Sequence, residues 1–380
     1  MVFKEVPVVE EGQIKKLFSV KMIKSNIQDI VKDLGLGKVV IIVDDEDREN
    51  EGDLVCAAEL VTADIVNFMA KYGRGLICLT LTKEKCRELD LKQMTSSNES
   101  SNKTAFTVSI EAKDGITTGI SAQDRATTIL AAVHPEATAD DIAQPGHVFP
   151  LEAMDGGVLA RAGHTEASCD LAKLSGLSPS GVICEIMNDD GSMARRDDLE
   201  MFAKKHDLKI GTIADLIDFR LSQETTIKEI EKRKVDTDFG EFELHIWEDI
   251  LDQNYHFSLS KGLNKGVENP LVRVQTQSVL QDTLGIKELG KKWSVRQSLK
   301  KIAQEDAGVL VLINHRDASS YWLSLLKGKE LTKKSRRVIG AGSQILRALG
   351  LKKIRVLGTP TKYNNLSGFN IEITSFENER

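Results

Sequence analysis

The segment DDEDRENEGD, residues 44–53, sets seven carboxylates and Arg48 into ten positions directly after the apolar run VVIIV. Like charges packed this closely belong either to a solvated loop or to a site where a cation neutralises them. The flanks place the run inside a fold. A continuous β-branched stretch forms a buried strand, and LVCAAELVT resumes the apolar pattern at once. Calcium in an EF-hand does not fit: counting from Asp45, Asn50 falls at the glycine position and Cys56 at the closing glutamate. A magnesium-type site needs only one or two carboxylates, with substrate oxygens completing the shell. On these ten residues alone the metal reading and the surface-loop reading both stand.

A second group of reactive residues lies in LARAGHTEASCDLAKLSG, residues 159–176. Gly163 permits an unusual backbone, and Thr165 with Glu166 opens a helical pattern that runs to Leu174 and a glycine stop at Gly176. Free amides at a helix start bind phosphate, and Arg161 and Thr165 are suitable side-chain partners. His164 sits at the same place, either as an ordinary hydrogen-bonded histidine or as a ligand. His147 lies between proline turns in PGHVFP, and Glu185 interrupts the apolar strand GVICEIM. A buried Glu185 needs a partner or a raised pKa, so it is an acid/base candidate or a satisfied polar group.

Residues 1–24 read as an N-terminal extension and residues 25–222 as a mixed α+β domain. A charged linker at 223–235 leads to a second domain at 236–380. The expected order begins with a helix from an N-cap at Ser25, a strand at 39–43, and a capped helix ending at Gly73. Strands at LICLTLT, AFTVSIEA and GVICEIM and helices at SAQDRATTILAAV, RRDDLEMFAKKHDL and TIADLIDFRLSQE follow. The stretch AQPGHVFPLEAMDGGVLARAGHT reads as a long irregular loop, and TSSNESSNKT as a mobile polar lid.

The 380 residues, 41% of them hydrophobic, suffice for two globular domains. No apolar run approaches the ~20 residues of a membrane span, and the first residues lack a signal-peptide pattern. Five cysteines, all between Cys56 and Cys184 and without a C-x-x-C pair, suit a reducing compartment and argue against a cysteine zinc site there. A cytoplasmic protein is expected. The net charge of −6 divides into −13 for residues 1–227 and +7 for residues 228–380. That asymmetry is compatible with attraction between the halves or a weak anion affinity in the second.

The four segments DDEDRENEGD, PGHVFPL, GGVLARAGHTEAS and GVICEIMNDDGSMA together resemble the signature segments of 3,4-dihydroxy-2-butanone 4-phosphate synthase. The resemblance covers about 200 residues, with Ala162 standing where the family loop usually has glycine. It implies an α+β mixed-sheet sandwich and the conversion of D-ribulose 5-phosphate to 3,4-dihydroxy-2-butanone 4-phosphate plus formate in riboflavin biosynthesis. The implied cofactor is Mg2+ or Mn2+, two ions per site and no zinc. By the same resemblance Glu49 and His164 bind metal. Arg48, Glu49, Asp53, Arg161, Ala162, Gly163, His164, Thr165 and Glu185 contact substrate, while His147 and Glu185 move protons. Glu51, Cys78, Thr107, Asp124, Arg125 and Thr128 are further lining candidates. A homodimer with sites at the subunit interface is implied, with no nucleic-acid or membrane partner.

Residues 236–378, with FGEFELHIWED, NPLVRVQTQSVLQDTLG and GAGSQILRALGLKKIRVLGTP, resemble GTP cyclohydrolase II, a smaller α/β domain, in framework only. The family's three zinc-binding cysteines correspond to Ser278, Leu289 and Lys291, none a thiolate. Arg337 falls at the family's nucleophilic arginine, but its neighbours are Ser335 and Ile339. The resemblance thus implies a second domain without cyclohydrolase activity. A scaffold or regulatory module, a retained anion site and new chemistry stay open for it. For the whole chain, an inactive scaffold and another sugar-phosphate enzyme are the rival readings.

Overall fold

The computed structural model describes residues 25–45, 48–100, 102–251, 253–277, 282–286, 293–314, 332–358 and 371–378, with side chains described from residue 340 onward in the helix that starts at Thr332. Two compact units emerge, one of residues 1–153 with 163–213, the other of 154–162 with 214–380. The expected extension at 1–24 lies outside the described residues.

The first unit is built on a seven-stranded sheet in the order β4-β5-β3-β6-β2-β1-β7. Its strands are β1 (Val40–Val43), β2 (Gly52–Ala57), β3 (Cys78–Thr82), β4 (Ile110–Ala112), β5 (Ile142–Ala153), β6 (Gly181–Glu185) and β7 (Ile210–Thr212). The sheet is mixed: β1 pairs antiparallel with β2 and parallel with β7, and β3 parallel with β5 and antiparallel with β6. Helices α1 (Ile27–Gly35), α2 (Ala63–Phe68), α3 (Lys83–Glu88), α4 (Ala122–Val133), α5 (His164–Leu174) and α6 (Arg196–His206) complete it. Helix α7 (Ile213–Gln223) begins directly after β7.

Alternation assigns the two faces of the sheet. Ile41, Leu54, Leu79 and Cys184 pack into one core with Ile129 and Ala132 of α4. The opposite face carries Asp53, Cys78, Thr80 and Glu185, and α5 lies on it, with Thr80 Oγ1 and Ser168 Oγ 2.7 Å apart. Three of these helix starts have a local cause. Thr62, Thr82 and Ser121 accept hydrogen bonds from first-turn amides of α2, α3 and α4.

Three expectations are corrected. Asn26, not Ser25, caps α1: its carboxamide oxygen accepts from Asp29 N, while Ser25 N donates to Ile210 O. The stretch read as a long irregular loop contains β5, because Pro150 loses only a donor and its carbonyl still accepts from Thr107 N and Thr107 Oγ1. Residues 227–237, mostly inside the expected linker, form β8, an exposed edge strand whose charged side chains hide the usual apolar alternation.

The second unit has its own seven-stranded sheet in the order β14-β13-β11-β12-β10-β9-β8. Here β8 (Ile227–Thr237), β9 (Gly240–Asp249) and β10 (Asn254–Lys261) form an antiparallel meander. Strands β11 (Leu271–Thr276), β12 (Gly308–Ile313), β13 (Lys353–Leu357) and β14 (Glu372–Glu377) pair in parallel. Helices α8 (Val295–Ala303) and α9 (Thr332–Ala348) provide crossovers between parallel strands. Residues 154–162 join this unit: Leu159 is buried in its core with Leu221, and Arg220 Nη1 donates to Gly156 O at 2.8 Å. The positions matched to zinc ligands, Ser278, Leu289 and Lys291, lie outside the described residues, as do the side chains of Ser335, Arg337 and Ile339.

Leu54 is fully buried in the centre of the first core. Leu54→Ala is expected to cost that unit about 2–5 kcal/mol through lost burial and the cavity left behind, measured by circular dichroism in urea. In the second unit Glu305 receives Arg355 Nη2 at 2.5 Å and Lys301 Nζ at 3.0 Å. Burial opposes its charged form, but these two cations outweigh it and hold the carboxyl below its ordinary value. A depressed carboxyl stabilises the fold above its unfolded pKa and loses that contribution as pH falls through the folded value. Glu305→Gln should lower the urea midpoint at pH 7, by roughly 1 kcal/mol or less. The difference from the parent should shrink as pH falls below the ordinary carboxyl range.

Candidate active site

The acidic run is the connection of the β1–β2 hairpin, in which Val43 pairs with Gly52 and Asp44 N donates to Glu51 O. Part of its charge is held by the chain itself. Asp44 accepts from Arg48 Nη1 at 2.9 Å, Glu49 N at 3.1 Å and Glu51 N at 2.9 Å. Arg48 also pairs with Glu49. Arg195, next to α6, donates through Nη1 to Glu49 O at 2.8 Å and to Asn50 O. Asn50 takes the left-handed conformation, φ 55°, which asparagine tolerates. From the polar stretch read as a lid, Asn102 Nδ2 donates to Glu49 Oε1 at 2.7 Å.

Strand register brings the remaining acids together. Asp53 on β2 pairs with Glu185 on β6, so two carboxylates face each other from the same side of the sheet. Glu185 Oε2 accepts from Leu76 N at 2.8 Å, and any side chain at Gly75 would collide with the Glu185 carboxylate. Asp53 is buried, and its Oδ1 has no hydrogen-bond partner. Burial, then the neighbouring carboxylates of Glu185, Glu49 and Glu51 against the pull of His164, raises Asp53 to about 7. Glu51 is raised by burial and by Glu49.

His164 is the first residue of α5 and is buried. Its Nε2 lies 3.1 Å from Ile42 O and donates to it, which leaves the Nδ1 lone pair for Glu49 Oε2 at 3.8 Å and Asp53 Oδ1 at 3.9 Å to surround. Burial disfavours a charged ring, yet Asp53, Glu49 and Asp44 outweigh it and raise His164 to about 9. The ring in turn, helped by Arg48 and against burial, holds Glu49 below its usual value. A field that draws a proton to Nδ1 would equally hold a cation there.

The donor set fits a hard divalent ion. Ligand atoms of Asp44, Glu49 and His164 all lie within 4.8 Å of one another. Two carboxylates and one imidazole whose second nitrogen is fixed by a backbone carbonyl match magnesium or manganese in character. The unpartnered Asp53 oxygen, 3.9 Å from the same imidazole, adds an acceptor with nothing to accept from. Sequence reading named Glu49 and His164; Asp44 went unnamed within its acidic run. Its position as the residue directly after β1, at the closing pair of the hairpin, was the available signal.

The other expected residues are placed as follows. Gly163 is the N-cap of α5 with extended backbone, φ −121°, so no left-handed geometry demands glycine there. The helix start has no side-chain cap, and Thr165 is buried in its first turn. Ala162 is not in the left-handed region. Arg161 and Ala162 group with the second unit, and Gly163, His164 and Thr165 with the first. Cys78 is on the Asp53 face, where burial and then Glu185 and Asp53 push its thiol well above the ordinary value.

His147 on β5 is separated from Glu185 by β3, two strand spacings or on the order of 10 Å, and its Nδ1 pairs with Glu111 instead. Thr107 is bonded to Pro150 O, Thr128 Oγ1 accepts from Ala112 N, and Asp124 accepts from Thr117 and Gly119 N. Arg125 is half-buried, and burial lowers its pKa. Within one chain these hydrogen bonds belong to the β4–β5 side of the sheet rather than to the Glu49–His164 cluster.

Comparison with known proteins follows the same division. A family model described as 3,4-dihydroxy-2-butanone 4-phosphate synthase matches residues 28–219, and one described as GTP cyclohydrolase II matches residues 228–378. A 3,4-dihydroxy-2-butanone 4-phosphate synthase of Photobacterium phosphoreum is 49% identical over 364 residues, covering 93% of this chain and 99% of the relative. Riboflavin biosynthesis protein RibBA of Aquifex aeolicus is 46% identical over 368 residues, covering 92% and 91%. The crystal structure of RibBX, a two domain 3,4-dihydroxy-2-butanone 4-phosphate synthase from A. baumannii, matches with a TM-score of 0.78 and 44% identity over 93% of this chain and 99% of that one. With half of its length matched by the first model and nearly all of it by these relatives, the chain belongs to the 3,4-dihydroxy-2-butanone 4-phosphate synthase family, with a GTP cyclohydrolase II-like second region.

Proposed function

We propose that the chain converts D-ribulose 5-phosphate to 3,4-dihydroxy-2-butanone 4-phosphate and formate, with magnesium or manganese bound by Glu49 and His164, two ions per site. The observation that carries this reading is the convergence of Glu49, His164, Asp53 and Glu185 on one face of the sheet in a chain of this family. A bound divalent ion supplies a Lewis acid for the oxygens of an enediolate. The chain's own residues do the rest. His164, tied to Ile42 O, presents a fixed nitrogen. Glu185 is held by the Leu76 amide through one oxygen and keeps the other for a substrate proton. Asp53, facing it across the strand pair, contacts substrate hydroxyls. The first turn of α5, Gly163 to Thr165, suits a phosphate, and the sequence resemblance adds Arg161 and Ala162. Arg48, already shared between Asp44 and Glu49, sets the loop as well as meeting substrate.

The assembly we favour is a homodimer, in which a second copy brings to each site what His147 does not reach within one chain. Five free, buried cysteines suit a cytoplasmic setting. The second unit is assigned no GTP hydrolysis: every cysteine of the chain falls at or before Cys184, so that unit has no thiolate for zinc.

Formate release from ribulose 5-phosphate with magnesium tests the reading. Glu49→Gln should lower turnover by at least ~100-fold, and Glu185→Gln by roughly 10²–10⁴-fold. GTP should stay intact in the same assays. A folded parent that isomerises the sugar phosphate without formate would sink the assignment. Arg195→Ala removes the clamp on the Glu49 and Asn50 carbonyls, and Mn2+ affinity measured by electron paramagnetic resonance should fall roughly 10–100-fold. Unchanged affinity would show that the loop holds its shape without Arg195.

A further inference from the structure

We propose that Glu111 is a positioning residue for His147, fixing the imidazole so that Nε2 is the proton-transfer atom. The proposal rests on the assignment of His147 to proton transfer in the reaction above. Glu111 on β4 places Oε2 2.9 Å from His147 Nδ1. The carboxylate is the inner member of the pair: its side chain is 13% exposed and that of His147 45%. Its second oxygen, Oε1, is buried without a hydrogen-bond partner.

A surface ion pair formed for stability needs none of this burial. Here the surroundings are shaped to admit the acid. A Cβ at Gly119 would overlap the Glu111 carboxylate, and Gly119 holds φ 87°, a conformation that also favours glycine. The loop that carries it is fixed by Asp124, which accepts from Thr117 N, Thr117 Oγ1 and Gly119 N. Thr128 Oγ1 accepts from Ala112 N, the residue after Glu111, and Ser109 Oγ accepts from Gly146 N, the residue before His147. Asp124 and Thr128 therefore serve the reaction indirectly, by holding the backbone that holds Glu111.

The chemical consequence follows from the tautomer. With Nδ1–H donated to the carboxylate, the Nε2 lone pair points away from Glu111. In the forward transfer a substrate bond to hydrogen breaks, the N–H bond forms at Nε2, and the electron pair stays on the substrate. The carboxylate offsets the charge of the resulting imidazolium, and the same proton returns from Nε2 in the reverse transfer.

The test uses the full chain with magnesium, reading the His147 ring nitrogens by 15N NMR and formate release from ribulose 5-phosphate by steady-state kinetics. The parent should show Nδ1–H. Glu111→Ala should shift the ring toward Nε2–H and lower kcat at least roughly 10-fold, with KM within about threefold. Glu111→Gln, which keeps an acceptor oxygen, should retain the tautomer and recover part of kcat. If Glu111→Ala fails to fold, Glu111→Asp, which withdraws the carboxylate by one methylene, should show the same kcat loss. A folded Glu111→Ala or Glu111→Asp with parental kcat overturns the proposal, as does Nε2–H in the parent. A parent that releases no formate overturns the assigned reaction instead, while the ring-nitrogen shifts still report whether Glu111 sets the tautomer.

Discussion

The pairing of β2 with β6 sets two carboxylates, Asp53 and Glu185, opposite each other on a buried face. Directly opposed like charges destabilise a sheet, and removing them from water adds to the cost. The surroundings read as an answer to that conflict. The α5 N-terminus brings His164 against Asp53, the β1–β2 hairpin folds Glu49 toward the same ring, and Glu185 is restrained by the Leu76 amide. What remains uncompensated is the Asp53 oxygen without a partner. A fold kept only for stability would relieve such a site with an apolar pair, as buried charges rarely repay their desolvation.

The hairpin shows how the chain divides the work of neutralisation. Asp44 uses both oxygens to hold the loop, taking two amides and Arg48, while Arg195 grips the carbonyls of Glu49 and Asn50. These contacts shape the backbone but leave the Glu49 carboxylate directed at His164. Glu49 pairs with Arg48 and accepts from Asn102 as well, so both Asp44 and Glu49 hold the loop while lying close to the ring. These contacts offset the repulsion among the described acids Asp44, Glu49 and Glu51.

Much of this was legible in the sequence, for identifiable reasons. The β-branched run before Asp44, the capped helix of TADIVNFMAKYGRG, the helical pattern of SAQDRATTILAAV and the one opened by Thr165 and Glu166 and running to Leu174 are local signals, and the structure carries them as β1, α2, α4 and α5. Register was not legible. Nothing local tells that Asp53 lies opposite Glu185 or that Glu111 meets His147, since both depend on pairings across 132 and 36 residues. Strand β5 was hidden by its prolines, of which Pro150 still accepts through its carbonyl, and β8 by charged side chains on both faces of an edge. Residues 154–162 follow β5 in sequence yet pack with the second unit, through Leu159 and the Arg220 bond to Gly156.

The state of His164 ties these observations to chemistry. The surrounding acids draw a proton onto a buried ring that burial alone would leave neutral. Nδ1 is the atom that takes that proton, because Nε2 is committed to Ile42 O. A positive charge there offsets Asp53 and Glu49 at once, so the acids that repel one another are the ones that make the position favour a cation. The hydrogen bond from Nε2 to the β1 backbone therefore decides more than the orientation of one side chain. It leaves Nδ1 as the ring atom facing the carboxylates of Asp53 and Glu49, beside a strand pair whose register cannot slip without turning Asp53 to the other face.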